Sequence, residues 1–101
     1  MSPRGGTIDF DMINARARAA LPALVRRWLP NGCQRGREWV ARNPTRDDRT
    51  AGSFSINLAT GRWADFADYA KGGDVISLYA YLRNIGQGAA ARELAEILRI
   101  K

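Results

Sequence analysis

The sequence has no histidine and a single cysteine, Cys33. One thiol excludes an intramolecular disulfide and fits a reducing, cytoplasmic setting. Without histidine there is no Ser-His or Cys-His couple, so Cys33 reads as an inert small residue and not a nucleophile. The same two shortages leave no conventional zinc ligand set, and no metal or cofactor is expected. No apolar run reaches the roughly 20 residues of a membrane span, and the opening MSPRGGTIDF lacks the apolar centre of a signal peptide. Gly72-Gly73 stands before an expected helix, but no Lys-Ser or Lys-Thr follows, so a P-loop is excluded. The acidic groups Asp47-Asp48 and Asp65, Asp68, Asp74 come without the catalytic fold that a magnesium-dependent polymerase needs. The chain reads as a non-enzyme.

What the sequence does hold is positive charge on a chain able to fold. Its 101 residues suit one domain, and a hydrophobic share of 46% argues against wholesale disorder. The net charge is +6, and of the basic residues only Lys71 and Lys101 are lysine. Arginine suits bidentate phosphate contacts and stacking on bases, so the expected partner is a polyanion. Residues 1–50 carry ten basic and five acidic side chains, whereas residues 51–101 carry six and five. The basic surface therefore belongs mainly to the N-terminal half.

Residues 1–6 read as a loose leader, followed by Thr7 as an N-cap with Asp9 and Asp11 in the first helical turn. Apolar positions from Phe10 to Leu29 follow helical spacing, and Pro22 predicts a kink or two helices meeting near Ala20. Pro30-Asn31-Gly32 ends this segment, and residues 34–36 read as a polar connection. Residues 37–42 predict a short strand with Trp39 and Ala41 on one face and Glu38 and Val40 on the other. Residues 43–52 read as a polar loop.

The centre of the chain lies between Gly52 and Leu78. Phe54, Ile56 and Leu58 alternate with polar residues, residues 59–61 form a turn with Gly61 suited to positive φ, and residues 62–66 return. On the returning strand Trp63 and Asp65 share one face, and Arg62, Ala64 and Phe66 the other. Phe54 and Phe66 are assigned to the core. Lys71-Gly72-Gly73 breaks the strand, and Asp74 caps a helix through Val75, Ile76, Leu78, Tyr79 and Leu82. After a turn over residues 84–88, a final helix spans residues 89–100 with Ala90, Leu94, Ile97 and Leu98 on its apolar face. The expected fold is α+β: a small antiparallel sheet flanked by N-terminal and C-terminal helices. Residues 1–30 form a helical segment packed on a ββα module spanning residues 31–101.

The order of residues from Asn43 to Leu78 resembles the zinc-binding domain of bacterial DnaG-type primases and their phage and plasmid relatives. That family reads Cys-Pro-x-His, an acidic loop, Thr-Pro-Ser-Phe, a hairpin, Cys-x-x-Cys-Gly, then Gly-Asp or Gly-Asn opening an apolar helix. Here Asn43-Pro44-Thr45-Arg46 stands at the first ligand pair, Asp48 and Thr50 follow, Gly52-Ser53-Phe54 replaces Pro-Ser-Phe, and Gly73-Asp74-Val75-Ile76 opens the helix. The second ligand pair falls at Asp65 or Phe66 and at Asp68 or Tyr69. The resemblance covers residues 37–100, and no expected ligand position holds cysteine or histidine. It therefore implies a zinc-ribbon-like domain without its metal. Two replacements are weighed: Arg46 bridging Asp65 and Asp68, or an aromatic core of Trp39, Phe54, Trp63 and Phe66.

The resemblance implies a non-catalytic accessory module that binds single-stranded template DNA in a primase or primase-helicase system of a bacterium or its mobile elements. The implied partners are DNA and a separate primase or helicase catalytic subunit or domain. Single-strand binders combine a cationic groove with aromatic faces, which singles out Arg37, Arg42, Arg46, Arg49, Arg62 and Lys71 with Trp39 and Trp63, and Tyr69 is interleaved with them. The alternative is a protein-interaction module docking a helicase, polymerase or other replication protein through Tyr79, Tyr81 and the final helix.

Overall fold

The computed structural model describes residues 9–45, 53–67 and 69–99. Among these are four helices and a five-stranded antiparallel sheet, with helices before and after the strands in the chain. This is the expected α+β class.

Asp9 caps the first helix, its carboxylate accepting from the Met12 N–H at 3.0 Å, and Thr7, the expected cap, lies outside the described residues. The position of the cap follows from where the apolar spacing starts, since α1 spans Phe10–Ala19 and Asp9 immediately precedes it. Pro22 lies in the first turn of α2, Leu21–Trp28, where its missing N–H has no intrahelical partner to lose. The chain therefore forms two helices joined at Ala20. Ile13, Ala17, Leu21, Leu24, Val25 and Leu29 are buried, and Arg16, Arg18, Arg26 and Arg27 stay in solvent.

The strands run β1 Cys33–Arg35, β2 Glu38–Ala41, β3 Phe54–Asn57, β4 Trp63–Asp65 and β5 Ala70–Gly72, each paired with the next. Two of them correct the sequence reading. The stretch read as a polar connection holds an edge strand, Cys33–Arg35, followed by a turn at Gly36 with φ 60°, and the strand's three exposed side chains hide it from any apolar periodicity. Lys71-Gly72 does not break the sheet but extends it, because Lys71 pairs with Ala64 and Gly72 with Trp63. Gly72 is there for closeness of approach: a Cβ at that position would lie 2.4 Å from both the Trp63 indole nitrogen and the Ser77 hydroxyl. In the β3–β4 turn Gly61 takes φ 81°, as expected, and the Asn57 side-chain amide oxygen accepts from the Ala59 and Thr60 N–H groups. Leu58 thereby leaves the strand and joins the turn.

Register divides the sheet into two unlike faces. Trp39, Ile56 and Trp63 align across it, as do Ala41, Phe54 and Asp65, and all six are buried in or beside one core shared with the helices. Phe54 packs its ring against Trp63 and Tyr81 at centroid separations of 5.9 and 6.0 Å, and Trp63 meets Tyr81 at 4.7 Å. Phe66, assigned to the core from its aromaticity, is 70% exposed. Period-2 alternation puts it opposite Trp63 and Asp65, so burying those two turns Phe66 outward.

Helix α3, Val75–Arg83, starts where the sequence places it, with Asp74 and Ser77 forming a reciprocal capping box. A partner unseen in the sequence completes this corner. Asn14 of α1 is buried, accepts from the Ile76 N–H at 3.0 Å and donates to the Asp74 carboxylate at 3.2 Å. Asn14→Ala would strand a buried N–H, and urea unfolding should show a loss of about 1–3 kcal/mol. Helix α4, Gln87–Ile97, begins two residues earlier than the apolar pattern suggests. It buries Ala90, Ala91 and Leu94, while Ile97, expected on the apolar face, is 37% exposed.

Candidate nucleic-acid interface

The second face of the sheet carries exposed and half-buried side chains. Cys33, Val40, Ser55, Ala64 and Lys71 align across the five strands, and Arg35, Glu38 and Asn57 align beside them. Small side chains in the middle of the row, Ser55 and Ala64, leave an open groove of about 600 Å³. Arg62 and Lys71, both exposed, line it along β4 and β5, and Phe66 contributes a solvent-facing ring. Tyr69, 87% exposed, stands in the turn after Phe66 with φ 65°, a conformation that tyrosine rarely adopts. Glu38 is the carboxylate on this surface, and it accepts a hydrogen bond from the Ser55 hydroxyl.

The residues singled out from sequence separate into groups. Arg62, Trp63 and Lys71 line the groove, although Trp63 is itself buried. Arg37 and Arg42 are exposed at the two ends of β2. Arg46 and Arg49 lie outside the described residues, as does Asp68, and with them the proposed Arg46 bridge. Trp39 and Trp63 do not present stacking faces on this surface. They are 7% and 6% exposed, and each indole N–H is used internally, by the Leu29 carbonyl at 3.1 Å and the Ser77 hydroxyl at 2.9 Å. Among the described residues the aromatic rings most exposed to solvent are Phe66 and Tyr69, and Phe10 of α1 is 41% exposed. Sequence reasoning passed over Phe66 by treating it as core, although its shared parity with Arg62 and Ala64 was the available signal.

At the place where the resemblance sets metal ligands, the structure holds a buried polar knot. Asn43 is 1% exposed and Asp65 fully buried, and the Asn43 amide nitrogen donates to the Asp65 carboxylate. The same amide donates to the Tyr81 hydroxyl at 2.8 Å, and its oxygen accepts from the Thr45 N–H at 2.8 Å and the Thr45 hydroxyl at 2.7 Å. The other Asp65 oxygen accepts from the Ala67 N–H at 2.8 Å. This donor set does not fit zinc. An amide N–H points at the carboxylate where a cation would have to sit, and no sulfur or imidazole is within the group. Among the described residues no cluster of three or more metal-ligating side chains occurs.

Two further features limit what the surface can do. The N-terminus of α3 is not a free anion site, because Asp74, Ser77 and Asn14 already bind its N–H groups. Of Tyr79 and Tyr81, proposed above as docking residues, Tyr79 is buried at 8% exposed, and Tyr81 is half-buried and packs on Phe54 and Trp63. The Tyr79 hydroxyl donates to Glu93, which also holds Arg83 at 3.2 Å. Burial pushes the Tyr79 phenol up, and the bonds from Tyr79 and Arg83 hold Glu93 below its ordinary range. These groups tie α3 to α4.

Comparison with protein-family models, with curated proteins and with solved structures finds no match to this chain. No described helix is long and apolar enough to cross a membrane.

Proposed function

We propose that this chain is a non-catalytic module that binds single-stranded DNA, serving a primase or primase-helicase system. The observation that carries this reading is the groove on the outer sheet face, where Arg62 and Lys71 flank a floor of small side chains and Phe66 offers an uncovered ring. Cations beside a sheet suit phosphates, and an exposed aromatic suits a base whose faces are free. A duplex hides base faces in its stack, so Phe66 favours single strands. The net charge of +6 adds non-specific attraction. The order of Asn43-Pro44, Ser53-Phe54 and Gly73-Asp74, matching the primase zinc-domain pattern, supports template DNA as the substrate and a separate catalytic domain as the partner.

Fluorescence anisotropy with labelled single- and double-stranded oligonucleotides at 50 and about 200 mM salt tests this. Tighter binding of single strands is expected, weakening at least about tenfold over that range as counterions are released, with no response to added zinc. Binding that ignores salt, or none at low salt, would overturn the proposal and favour a protein-docking role.

A further inference from the structure

We infer that the groove selects unpaired guanine, with Glu38 and Asn57 as the specificity-determining residues; this rests on the single-strand reading above. A carboxylate is out of place on a surface that attracts phosphates. Glu38 lines the groove with Arg62 and Lys71, yet forms no ion pair with either or with Arg35, its cross-strand neighbour. What holds it is the Ser55 hydroxyl, bonded to one carboxylate oxygen. The second oxygen has no hydrogen-bond donor among the described residues.

Asn57 stands directly across from Glu38 in the β2–β3 register, so both side chains leave the same face side by side. Its carbonyl oxygen is fixed by the Ala59 and Thr60 N–H groups at 2.8 and 3.0 Å. That fixes the amide plane and leaves the NH₂ group to donate elsewhere. Glu38 and Asn57 thus present acceptors next to a donor.

Guanine has the complementary edge. Its Watson–Crick side carries two adjacent donors, N1–H and the N2 amino group, beside the O6 acceptor. A carboxylate can take both donors, since its two oxygens offer about four lone-pair sites, while the Asn57 amide meets O6. Adenine and cytosine offer a single amino group next to a ring acceptor, which the carboxylate repels. Thymine places its one N–H between two carbonyls. In a duplex the guanine edge is already paired, so this recognition works only on single strands. The charge of Glu38 also keeps phosphates off the floor, directing the backbone toward Arg62 and Lys71 and the bases toward the sheet.

The test uses the full chain and labelled twelve-residue oligo(dT) carrying one central dT, dG, dC, dA or deoxyinosine, measured by anisotropy at low salt. The wild type should bind the dG oligomer about tenfold more tightly than the dT oligomer. Deoxyinosine, which lacks the N2 amino group, should fall between. E38Q keeps the size and a Ser55 acceptor but replaces one acceptor with a donor. It should lose the dG preference, so that the dG and dT oligomers bind alike, with an unchanged circular dichroism spectrum. Equal wild-type binding of all five oligomers, or a dG preference that survives E38Q, would overturn guanine selection and leave single-strand binding standing. Failure to bind any of them would overturn both.

Discussion

Trp63→Ala is expected to lose about 3–5 kcal/mol of folding stability, measured by urea unfolding at neutral pH. The indole is 6% exposed and packs against Phe54 and Tyr81, and its N–H is spent on Ser77 at the capped corner of α3. Removal opens a cavity at the junction of β4, β5 and α3, and the close contact with Gly72 that keeps β5 in place goes with it. Phe66→Ala should do the reverse. An exposed ring contributes within about 0.5 kcal/mol to stability, but losing a stacking face should weaken single-strand binding by about 5- to 150-fold, given ~1–3 kcal/mol per stacked base. The pair separates core from surface along β4 and the residue that follows it. A stable Trp63→Ala protein that no longer bound DNA would reverse the assignment of the two faces.

The second large effect is expected at Asn43. Its amide supplies a donor to the buried Asp65 carboxylate, and its oxygen holds Thr45 in place. Asn43→Ala leaves that carboxylate without this donor and the Thr45 N–H without its acceptor. A loss of about 3 kcal/mol should follow, since truncating one member of a buried polar group leaves others uncompensated. Asn43→Asp is the sharper variant. It keeps the shape but sets two carboxylates face to face in the interior, so its deficit should be largest at neutral pH. As pH falls and one carboxylate takes up a proton, a hydrogen bond can reform between them and the deficit should shrink. Unfolding of both variants, followed from pH 7 to pH 4, checks the sign. Similar deficits across that range for Asn43→Asp would mean that the two carboxylates do not meet. Zinc should rescue neither variant.

Asn43 and Asp65 also bear on how the domain holds together at the positions where its primase-like pattern would place a metal. The two weighed replacements were an arginine bridge and an aromatic core. Among the described residues the contact between these positions is a neutral amide on a carboxylate, with Tyr81 and Thr45 closing the group. The aromatic cluster lies alongside, formed by Phe54, Trp63 and Tyr81 without Phe66. Asn43 was legible as a ligand position, but not as a ligand to Asp65. Residues 22 apart in sequence carry no local pattern that would pair them.

By itself the sequence determined what rests on short-range chemistry. Alternation over Phe54–Asn57 and the turn at Gly61 set the β3–β4 hairpin, because a strand's side chains must take opposite faces. Asp74 fixed the start of α3 and Pro22 the division of the first two helices, because orphan N–H groups need a cap and a proline lacks one to offer. Alternation also put Trp63 with Asp65 and Phe66 with Arg62, but it could not say which pair faces inward. Only the tertiary structure decided that: Asn43, arriving from the end of β2, gives the Asp65 carboxylate a buried partner, and Ser77 gives the Trp63 indole one. Once those two polar groups are satisfied inside, their face can be dehydrated, and Phe66, Arg62 and Lys71 are left to water.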